Sequence, residues 1–413
     1  MLRFKKDDGS DYAPLKRVQL KEIMTERTTK QCISEDAPLL SFTIEQGVID
    51  PSEKKTNKRD FLTKDMTTKK YGLIEYNDII YNPSNIIYGA IGRNKLRRGV
   101  VSPIYAIFST SEDPEYIEYQ VKRKDFINSS LKYLEGTVVK LRTLKSDDFL
   151  KLYINLPCKE EQRKIADLLI FVDEIISVSE KEVTNLESQK KGAMQKLFSQ
   201  ELRFKADNGC EYLNWKSISF SELFEALNNN TYSRAFLNYE KGEAKNIHYG
   251  DILTKFSDIC DIQKEQLPFI NESCAVTKFP QLKDGDIIIA DTAEDETVGK
   301  AIEIYNTNGD IVISGLHTMA CRPTVTFAPK YLGYFINSSA YHNQLKPFMQ
   351  GIKVTSIGRK NIANTQIHYP ANLEEQQKIA DFLSSFDEAI DYAKQELETW
   401  KNIKKGLLQQ MFE

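Results

Sequence analysis

The sequence lacks any apolar run of about 18 residues and begins with a charged segment, so we expect neither a membrane span nor secretion. It also lacks a Cys-x-x-Cys motif, although it contains six cysteines. Scattered thiols are typical of buried residues in a reducing cytoplasm and argue against a zinc site. They are Cys32, Cys158, Cys210, Cys260, Cys274 and Cys321. We therefore expect a folded, cytoplasmic protein without a bound metal.

Recognisable catalytic motifs are also missing. The string Asn82-Pro83-Ser84-Asn85 lacks the second proline and the aromatic residue that an amino-methyltransferase uses to hold a flipped base. The stretch from Gly351 to Gly358 has the wrong spacing for a phosphate-binding loop. The histidines are far apart in sequence, which favours structural or surface positions: His248, His317, His342 and His368. We expect a non-catalytic chain that binds no cofactor of its own.

The most informative feature that is present is a long repeated segment. Residues 160–198 and 374–412 align at a separation of 214 positions, and 17 of the 41 positions from 159 to 199 are identical in the second copy. Both copies begin with Glu-Glu-Gln-x-Lys-Ile-Ala-Asp, contain Lys-Lys-Gly and end in Phe. Neither contains proline, and Pro157 and Pro370 lie just upstream. The repeat predicts two equivalent long helices.

Each predicted helix carries apolar residues at alternating steps of four and three, the 3.5-residue period of a coiled-coil seam. The seam residues are Ile165, Leu169, Val172, Ile176, Val183, Leu186, Leu197, Ile379, Leu383, Phe386, Ile390, Leu397, Trp400, Leu407 and Met411. Lys190 and Lys404 interrupt the seams at the same repeat position, where a lysine can extend to water or mark a partner's surface. Equivalent seams favour antiparallel packing of the two helices; two separate amphipathic helices are the alternative.

The remaining segments repeat as well. Leu2-Arg3-Phe4-Lys5 recurs as Leu202-Arg203-Phe204-Lys205, directly after the first long helix. The pattern predicts an α+β chain with pseudo-two-fold symmetry: mixed α/β globular segments at 1–157 and 201–370, each followed by a helical segment, at 158–200 and 371–413. Predicted strands are Gly72–Tyr81, Ile86–Ile91, Val100–Phe108, Asp286–Ala290, Lys300–Tyr305 and Asp310–Ser314, and predicted helices lie around Pro114–Lys124 and Pro329–Gln344.

Charge is distributed unevenly along the chain. The net charge is −3, yet residues 1–157 carry 27 Lys and Arg against 22 Asp and Glu, whereas residues 201–370 carry 17 against 20. A local basic face can therefore exist, as phosphate attraction requires. The total charge neither supports nor excludes nucleic acid.

Basic residues recur in loops beside hydrogen-bonding side chains, in both globular segments. Such side chains read base edges or hold phosphates, although each run taken alone is more often a solvated loop. The candidate DNA-binding residues are Lys54, Lys55, Lys58, Arg59, Lys69, Lys70, Arg93, Lys95, Arg97, Arg98, Ser233, Arg234, Lys353, Arg359 and Lys360.

Together, the repeated Glu-Glu-Gln-x-Lys-Ile-Ala-Asp, the Lys-Lys-Gly, the closing Phe, and the Leu-Arg-Phe-Lys followed by Trp215 resemble the specificity subunit of Type I restriction–modification systems. The resemblance covers the whole chain. It is strong in the helices and in 201–216 and weak inside the globular segments, as expected for variable target recognition domains.

The resemblance implies that each globular segment binds one half of a split site in double-stranded DNA. It implies that the helices form an antiparallel coiled coil that sets the gap and docks two modification subunits, which carry S-adenosylmethionine and the methylation chemistry. Restriction subunits join the larger complex. Half-sites about 34–36 Å apart suit such a subunit. On this reading, shortening one helix by whole turns changes the recognised gap.

Two other hypotheses remain at this stage. The coiled coil could present two protein-binding modules without any role for DNA, which the acidic balance of residues 201–370 supports. A nuclease with a carboxylate site around Asp286 and Asp291 is the third reading, but it lacks a paired lysine at suitable spacing. The neighbouring acidic residues, Glu294, Asp295 and Glu296, predict a solvated loop.

Overall fold

The computed structural model describes residues 2–53, 68–134, 142–351 and 354–412. The chain divides into two compact units: unit 1 contains Met1–Val178 and Leu397–Glu413, and unit 2 contains Ser179–Glu396. Each unit contains one globular segment, the N-terminal part of the long helix that follows it, and the C-terminal part of the other long helix. The boundary between the two units therefore falls inside both long helices, whereas the sequence-based division treated each helix as one segment.

Unit 1 is a mixed α/β structure. Its strands are β1 (Lys16–Gln19), β2 (Met24–Glu26), β3 (Lys30–Gln31), β4 (Ser41–Thr43), β5 (Gly47–Ile49), β6 (Tyr71–Ile74), β7 (Ile79–Tyr81), β8 (Ile91–Arg93), β9 (Gly99–Val101), β10 (Ala106–Thr110) and β11 (Tyr153–Leu156). Its helices are α1 (Pro114–Lys122), α2 (Lys124–Ser130), α3 (Ser146–Phe149) and the start of α4 (Lys159–Phe198), the first long helix.

The centre of unit 1 is an antiparallel sheet in the order β2-β10-β7-β8. Strand β7 is buried along its whole length, because apolar side chains cover both faces of the sheet. On one face Tyr81 packs against Phe149 with ring centroids 4.7 Å apart. Helix α1 begins where the Asp113 carboxylate accepts the N–H of Glu115 and of Tyr116, a typical N-cap.

Unit 2 is also mixed α/β. Its strands are β12 (Lys216–Ser219), β13 (Phe224–Leu227), β14 (Leu237–Asn238), β15 (Lys245–Ile247), β16 (Ile259–Asp261), β17 (Phe269–Ile270), β18 (Ile287–Ala290), β19 (Thr292–Ala293), β20 (Ala301–Tyr305), β21 (Val312–Ser314), β22 (Thr318–Pro323), β23 (Thr355–Ser356) and β24 (Gln366–Tyr369). Its helices are α5 (Phe220–Leu223), α6 (Tyr249–Thr254), α7 (Tyr331–Asn337), α8 (Ser339–Leu345), α9 (Arg359–Ala363) and α10 (Leu373–Phe412), the second long helix.

The main sheet of unit 2 has the order β13-β22-β18-β20-β16, and a second sheet has the order β14-β17-β15-β21. The pairs β16–β20 and β15–β21 are parallel, and the other pairs in these two sheets are antiparallel. The central strand β18 is buried throughout. Its three consecutive isoleucines fit a strand that is covered on both faces.

The two globular segments share a structural signature at their central strands. Asp78 precedes β7 and Asp286 precedes β18, and both are buried. Arg27 Nε donates to Asp78 across 2.7 Å, and Arg322 Nε donates to Asp286 across the same distance. The weak sequence correspondence between Asp78-Ile79-Ile80 and Asp286-Ile287-Ile288 therefore marks equivalent strands.

The two long helices run antiparallel in both units, as predicted. In unit 1, Asp173 of the first long helix pairs with Lys404 of the second, and Ile165 lies in one hydrophobic cluster with Met411. In unit 2, Lys190 pairs with Asp387, and Leu197 lies in one cluster with Ile379 and Leu383. As one residue number rises, that of its partner falls.

The helix seams face the protein interior. All the predicted seam residues are buried or partly buried, and so are Ser179, Lys190 and Lys404, which stand at seam positions. The apolar period therefore marks the face of each helix that packs into the hydrophobic clusters of the units. None of the helices in the described ranges is both long enough and apolar enough to span a bilayer.

Both repeats of Leu-Arg-Phe-Lys close onto a long helix. Arg3 Nε and Nη2 donate to the buried Glu161, and Arg203 does the same to the buried Glu375. Trp215 Nε1 adds a third hydrogen bond to Glu375. The repeated start of each long helix and the repeated Leu-Arg-Phe-Lys segment thus make the same contact in both units.

Some predicted strands are shorter than the sequence suggested. The span Gly72–Tyr81 contains β6 and β7, separated by a turn in which Asn77 has φ +73°. The span Val100–Phe108 contains parts of β9 and β10. The prediction of a strand at Ile86–Ile91 is wrong: Ile86–Tyr88 forms a 3-10 turn that ends at Gly89 with φ +82°, and β8 begins only at Ile91.

Candidate nucleic-acid interface

In unit 1 the basic loop between β8 and β9 carries three exposed cations, Lys95, Arg97 and Arg98. Asn94 shapes this loop, because its side-chain amide donates to the carbonyl oxygens of Glu75 and Arg97, both across 2.8 Å. The loop therefore holds its cations at a fixed place on the surface.

Those exposed cations have acidic neighbours. Arg97 Nη2 lies 3.2 Å from Asp50, and Arg98 Nη1 lies 2.9 Å from Glu75. Lys95 Nζ lies 3.1 Å from Glu118. The exposed pairs of Arg97 and Arg98 contribute little to stability, so these two cations can exchange their partners for phosphate oxygens at small cost, whereas the Glu118 partner of Lys95 is buried.

Arg93 occupies a different environment from the one predicted. It is buried, and its guanidinium donates to Asn77, Glu115 and Glu118. Its partners on α1 neutralise it inside the protein, so it fastens β8 to α1. We leave Arg93 out of the set of surface candidates for this reason.

The other candidates of unit 1 lie elsewhere. Lys69 and Lys70 are exposed and precede β6, and Lys69 Nζ lies 5.3 Å from the centroid of the Tyr71 ring. Because β6 and β9 are antiparallel, Lys70 and the loop at Arg98 lie at opposite ends of this strand pair. Four candidates of unit 1 lie outside the described residues, namely Lys54, Lys55, Lys58 and Arg59. Lys353 of the second segment also lies outside them.

In unit 2 the structure brings together loops that are distant in sequence. Arg359 Nη2 donates to Asn229 Oδ1 across 3.4 Å, and Asn229 Nδ2 donates to the carbonyl oxygen of Gly315 across 2.9 Å. A Cβ at Gly315 would lie 2.6 Å from the carbonyl oxygen of Ile247, so only glycine fits there. The loops before α9, after β13 and after β21 therefore meet at one surface.

A fourth loop joins that surface through its backbone. The N–H of Asp291 donates to the carbonyl oxygen of His317 across 3.2 Å, and the N–H of Ile357 donates to the carbonyl oxygen of Asp291 across 2.9 Å. His317 has φ +55°, and its Nδ1 lies 3.4 Å from the Asp291 carboxylate. These contacts order the loop that precedes α9, the helix that begins with Arg359 and Lys360.

Arg234 is exposed and follows the exposed Ser233 in unit 2. Its Nη2 donates to Asp251 across 2.8 Å, and this hydrogen bond raises the pKa of the guanidinium above its ordinary value. Burial lowers the pKa of the adjacent His248, and the charge of Arg234 lowers it further. Near neutral pH this region therefore carries a fixed positive charge on Arg234 beside a neutral imidazole.

The unit 2 surface carries cationic and amide side chains. Arg234, Arg359 and Lys360 supply cations, and Asn229 supplies an amide, which are the groups that contact phosphates and base edges. Asp286, a candidate carboxylate of the nuclease hypothesis, accepts two hydrogen bonds from the Arg322 guanidinium. Within the described ranges, His, Cys, Asp and Glu residues form no group that could hold a metal ion.

Comparison with known proteins shows which family this chain resembles. A sequence model described as the Type I restriction modification DNA specificity domain matches residues 212–401. The specificity subunit of the Type I restriction enzyme MjaVIII from Methanocaldococcus jannaschii is 25% identical over 368 residues, which cover 84% of this chain and 82% of the relative. The chain is therefore similar to Type I specificity subunits over most of its length.

The solved structures of Type I systems share this fold. The S subunit from M. genitalium superposes with a TM-score of 0.57 at 14% identity, over 100% of this chain and 99% of that one. A second structure, described as showing complex assembly and conformational transition of the Type I system, gives a TM-score of 0.54 at 16% identity over 97% of both chains. The predicted α+β architecture with two packed long helices is therefore confirmed.

Sequence reasoning missed several residues that the structure brings together. Gly315 and His317 help to build the unit 2 surface, but the contacts of this surface join positions up to 130 residues apart, which a single sequence does not reveal. Sequence reasoning also missed Tyr119 and Tyr334, whose hydroxyls donate to Asp173 and Asp387 on the long helices. A signal existed for them, because Pro-x-Tyr-x-x-Tyr occurs at Pro114 and again at Pro329.

Proposed function

We propose that this chain is the sequence-specific DNA-binding subunit of a Type I restriction–modification complex, and that each globular segment reads one half of a bipartite site. The family match supports the specificity role, and the doubled architecture supports two half-sites. The observation that carries the proposal most directly is the contact between Asn229 and Arg359 in unit 2, with Lys360 beside Arg359 at the start of α9. Loops fixed on a rigid scaffold are where binding residues are usually found.

We propose that the antiparallel helices set the gap between the half-sites and dock the modification subunits. Their seams are covered, yet apolar side chains also lie on the outer side of the first long helix. Phe171 is 58% exposed and Val178 is 63% exposed, and Ile175 lies between them at helical spacing. Exposed apolar stripes of this kind are typical of protein-binding surfaces.

The chemistry of methylation belongs, on this proposal, to the partner modification subunits, which bind S-adenosylmethionine. Restriction subunits join the larger complex. The present chain contributes double-stranded DNA recognition, through salt-sensitive contacts to phosphates and through base contacts that each discriminate by about 1–3 kcal/mol.

A selection from a random DNA library tests this function. The purified complex of this chain with its modification subunits should enrich two short sequence blocks separated by a fixed gap. The double variant Arg359→Ala, Lys360→Ala should lose the sequence preference in one block and keep the sequence preference in the other. The matched control, Lys241→Ala with Lys264→Ala, removes two exposed lysines of unit 2 and should enrich both blocks.

One observation favours a second function. Residues 201–370 carry 20 Asp and Glu against 17 Lys and Arg, which suits a module that binds a basic protein. On this reading the complex assembles normally but enriches no DNA sequence. The same library selection therefore separates the two functions.

A further inference from the structure

Lys404, which interrupts the second seam, forms a three-residue contact inside unit 1. Its Nζ lies 2.5 Å from Asp173 Oδ1 on the first long helix. The hydroxyl of Tyr119, on α1 of the globular segment, donates to the other oxygen of the same carboxylate across 2.7 Å. Lys404 Nζ also lies 5.8 Å from the centroid of the Tyr119 ring. We name this contact clasp 1.

Lys190, which interrupts the first seam, forms the corresponding contact inside unit 2. Its Nζ lies 2.5 Å from Asp387 Oδ1 on the second long helix. The hydroxyl of Tyr334, on α7, donates to Asp387 Oδ2 across 2.6 Å. A second carboxylate, Asp258 Oδ2, lies 2.6 Å from the same Nζ. We name this contact clasp 2.

The clasps occupy equivalent repeat positions. Lys190 and Lys404 are 214 residues apart, and so are Asp173 and Asp387. Each clasp joins the C-terminal part of one long helix, the N-terminal part of the other and a tyrosine of the globular segment. The same three groups with the same roles, built twice, indicate a shared purpose that packing of apolar side chains does not supply.

Clasp 2 is the more deeply buried of the two. The Lys190 side chain is 10% exposed, and the Lys404 side chain is 29% exposed. Burial alone would lower the pKa of Lys190, but Asp258 and Asp387 outweigh it and raise the pKa above its ordinary value. Lys190 therefore stays charged in the interior, where it requires its acidic partners.

A buried polar pair in a helix seam disfavours every alignment that separates its members. If the antiparallel helices slipped by one heptad in one direction, Lys190 would face Ala380 and Lys404 would face Ala166, without an acceptor. In the other direction Lys190 would face Lys394, a like charge, although Lys404 would then face Glu180. The apolar seam residues tolerate such slips far better, because their identities repeat along the helix.

We propose that the two clasps are positioning elements. They fix the register of the long helices and the position of each globular segment on those helices. They thereby fix the single gap between half-sites that the complex accepts. This proposal rests on the DNA-recognition function proposed above. It assigns to Lys190, Lys404, Asp173, Asp387 and the two tyrosines a role in gap specificity, without contact with DNA.

Clasp 1 gives the cleaner test, because it contains one carboxylate. The complex is assayed for binding to DNA that carries both half-sites at the wild-type gap, or at gaps one base pair longer and shorter. The variant Lys404→Met with Asp173→Leu fills the seam with apolar side chains. We expect its Tm to equal or exceed that of the wild type, while its preference for the wild-type gap falls about fivefold to tenfold.

Further variants separate positioning from general damage. The charge swap Lys404→Asp with Asp173→Lys restores an ion pair and should recover most of the gap preference, whereas Lys404→Asp alone should not. Tyr119→Phe removes only the hydroxyl and should lie between these results. In clasp 2, Lys190→Met leaves two carboxylates facing each other and should lower Tm more than Lys404→Met does.

The proposal is overturned if the apolar variant weakens binding equally at all gaps, or if the charge swap fails to recover the preference. A wild-type complex that binds these DNAs without any gap preference would instead refute the bipartite recognition on which the proposal rests.

Discussion

The N–H of Leu2 donates to the carbonyl oxygen of Gln410 across 2.6 Å, and the N–H of Leu202 donates to that of Lys196 across 3.0 Å. Because Lys196 and Gln410 are equivalent repeat positions, the segment at Leu2 meets the end of the second long helix as the segment at Leu202 meets the end of the first. The junction at Leu202 is continuous in the chain, whereas the junction at Leu2 is made by noncovalent contacts.

This relationship predicts that a circular permutant folds. Three residues separate Phe198 from Leu202, and the middle one, Gln200, has φ +62°. Joining residue 413 to residue 1 through one glycine gives the same spacing at the other junction, and the chain is opened after Gln200. We expect a cooperative thermal transition within about 5 °C of the wild type, measured by circular dichroism.

A permutant opened inside the first long helix, after Val183, is the matched control. It should be clearly less stable, because it divides a continuous helix. If the two permutants melted alike, or if the first showed no cooperative transition, the equivalence of the two junctions would be disproved.

The ion pair between Arg203 and Glu375 predicts a large stability effect. Arg203→Ala leaves a buried carboxylate with only Trp215 as a side-chain donor, and removal of one partner from a buried pair is strongly destabilising. We expect a loss of about 3 kcal/mol in the free energy of unfolding, measured by urea denaturation at pH 7.

The control for that measurement is Lys205→Ala, which breaks the exposed pair with Glu211 two residues further along. Its effect should not be distinguishable from zero. Equal losses in the two variants would show that the contact with Glu375 is not what holds this segment.

Glu303 predicts a pH dependence of stability. It lies in β20 and is buried, and burial raises its pKa from 4.5 to about 7, although the N–H groups of Gly333 and Lys330 oppose the shift. The folded state therefore keeps a proton that the unfolded state has lost. Stability from this group is complete below about pH 4.5 and falls as the pH rises to about 7, by about 3 kcal/mol.

The variant Glu303→Gln removes this titration. We expect urea denaturation between pH 4.5 and pH 7.5 to give a slope of stability against pH that is more positive in the variant than in the wild type. Glu240→Gln, an exposed control, should keep the wild-type slope. The same slope in all three proteins would contradict the shifted pKa.

The spacer role of the helices predicts a defined change in specificity. Deleting residues 179–185 and 393–399 removes one heptad from each helix between the two clasps, about 10 Å of helix. We expect the library selection to return the same half-sites with a gap about three base pairs shorter, since successive bases of a strand lie about 3.4 Å apart. An unchanged gap would disprove the spacer role.

The sequence predicted the long helices and their antiparallel packing because a 3.5-residue apolar period persists through both copies. It left the roles of Lys190 and Lys404 open, because their acidic partners lie on other elements. The placement of Arg93 differed for the same kind of reason: Glu115 and Glu118, more than twenty residues away, neutralise it inside the protein. Ile86–Ile91 looked like a strand because local apolar character does not reveal a turn that depends on the backbone at Gly89.

The most direct test of the DNA-specificity role is methylome sequencing of a host that expresses this chain with its modification subunit, compared with a host that lacks this chain. Our account predicts one new bipartite methylated motif with a fixed gap, present only when the chain is expressed. If the complex assembles and no new motif is methylated, the chain does not confer DNA specificity, and the account is contradicted.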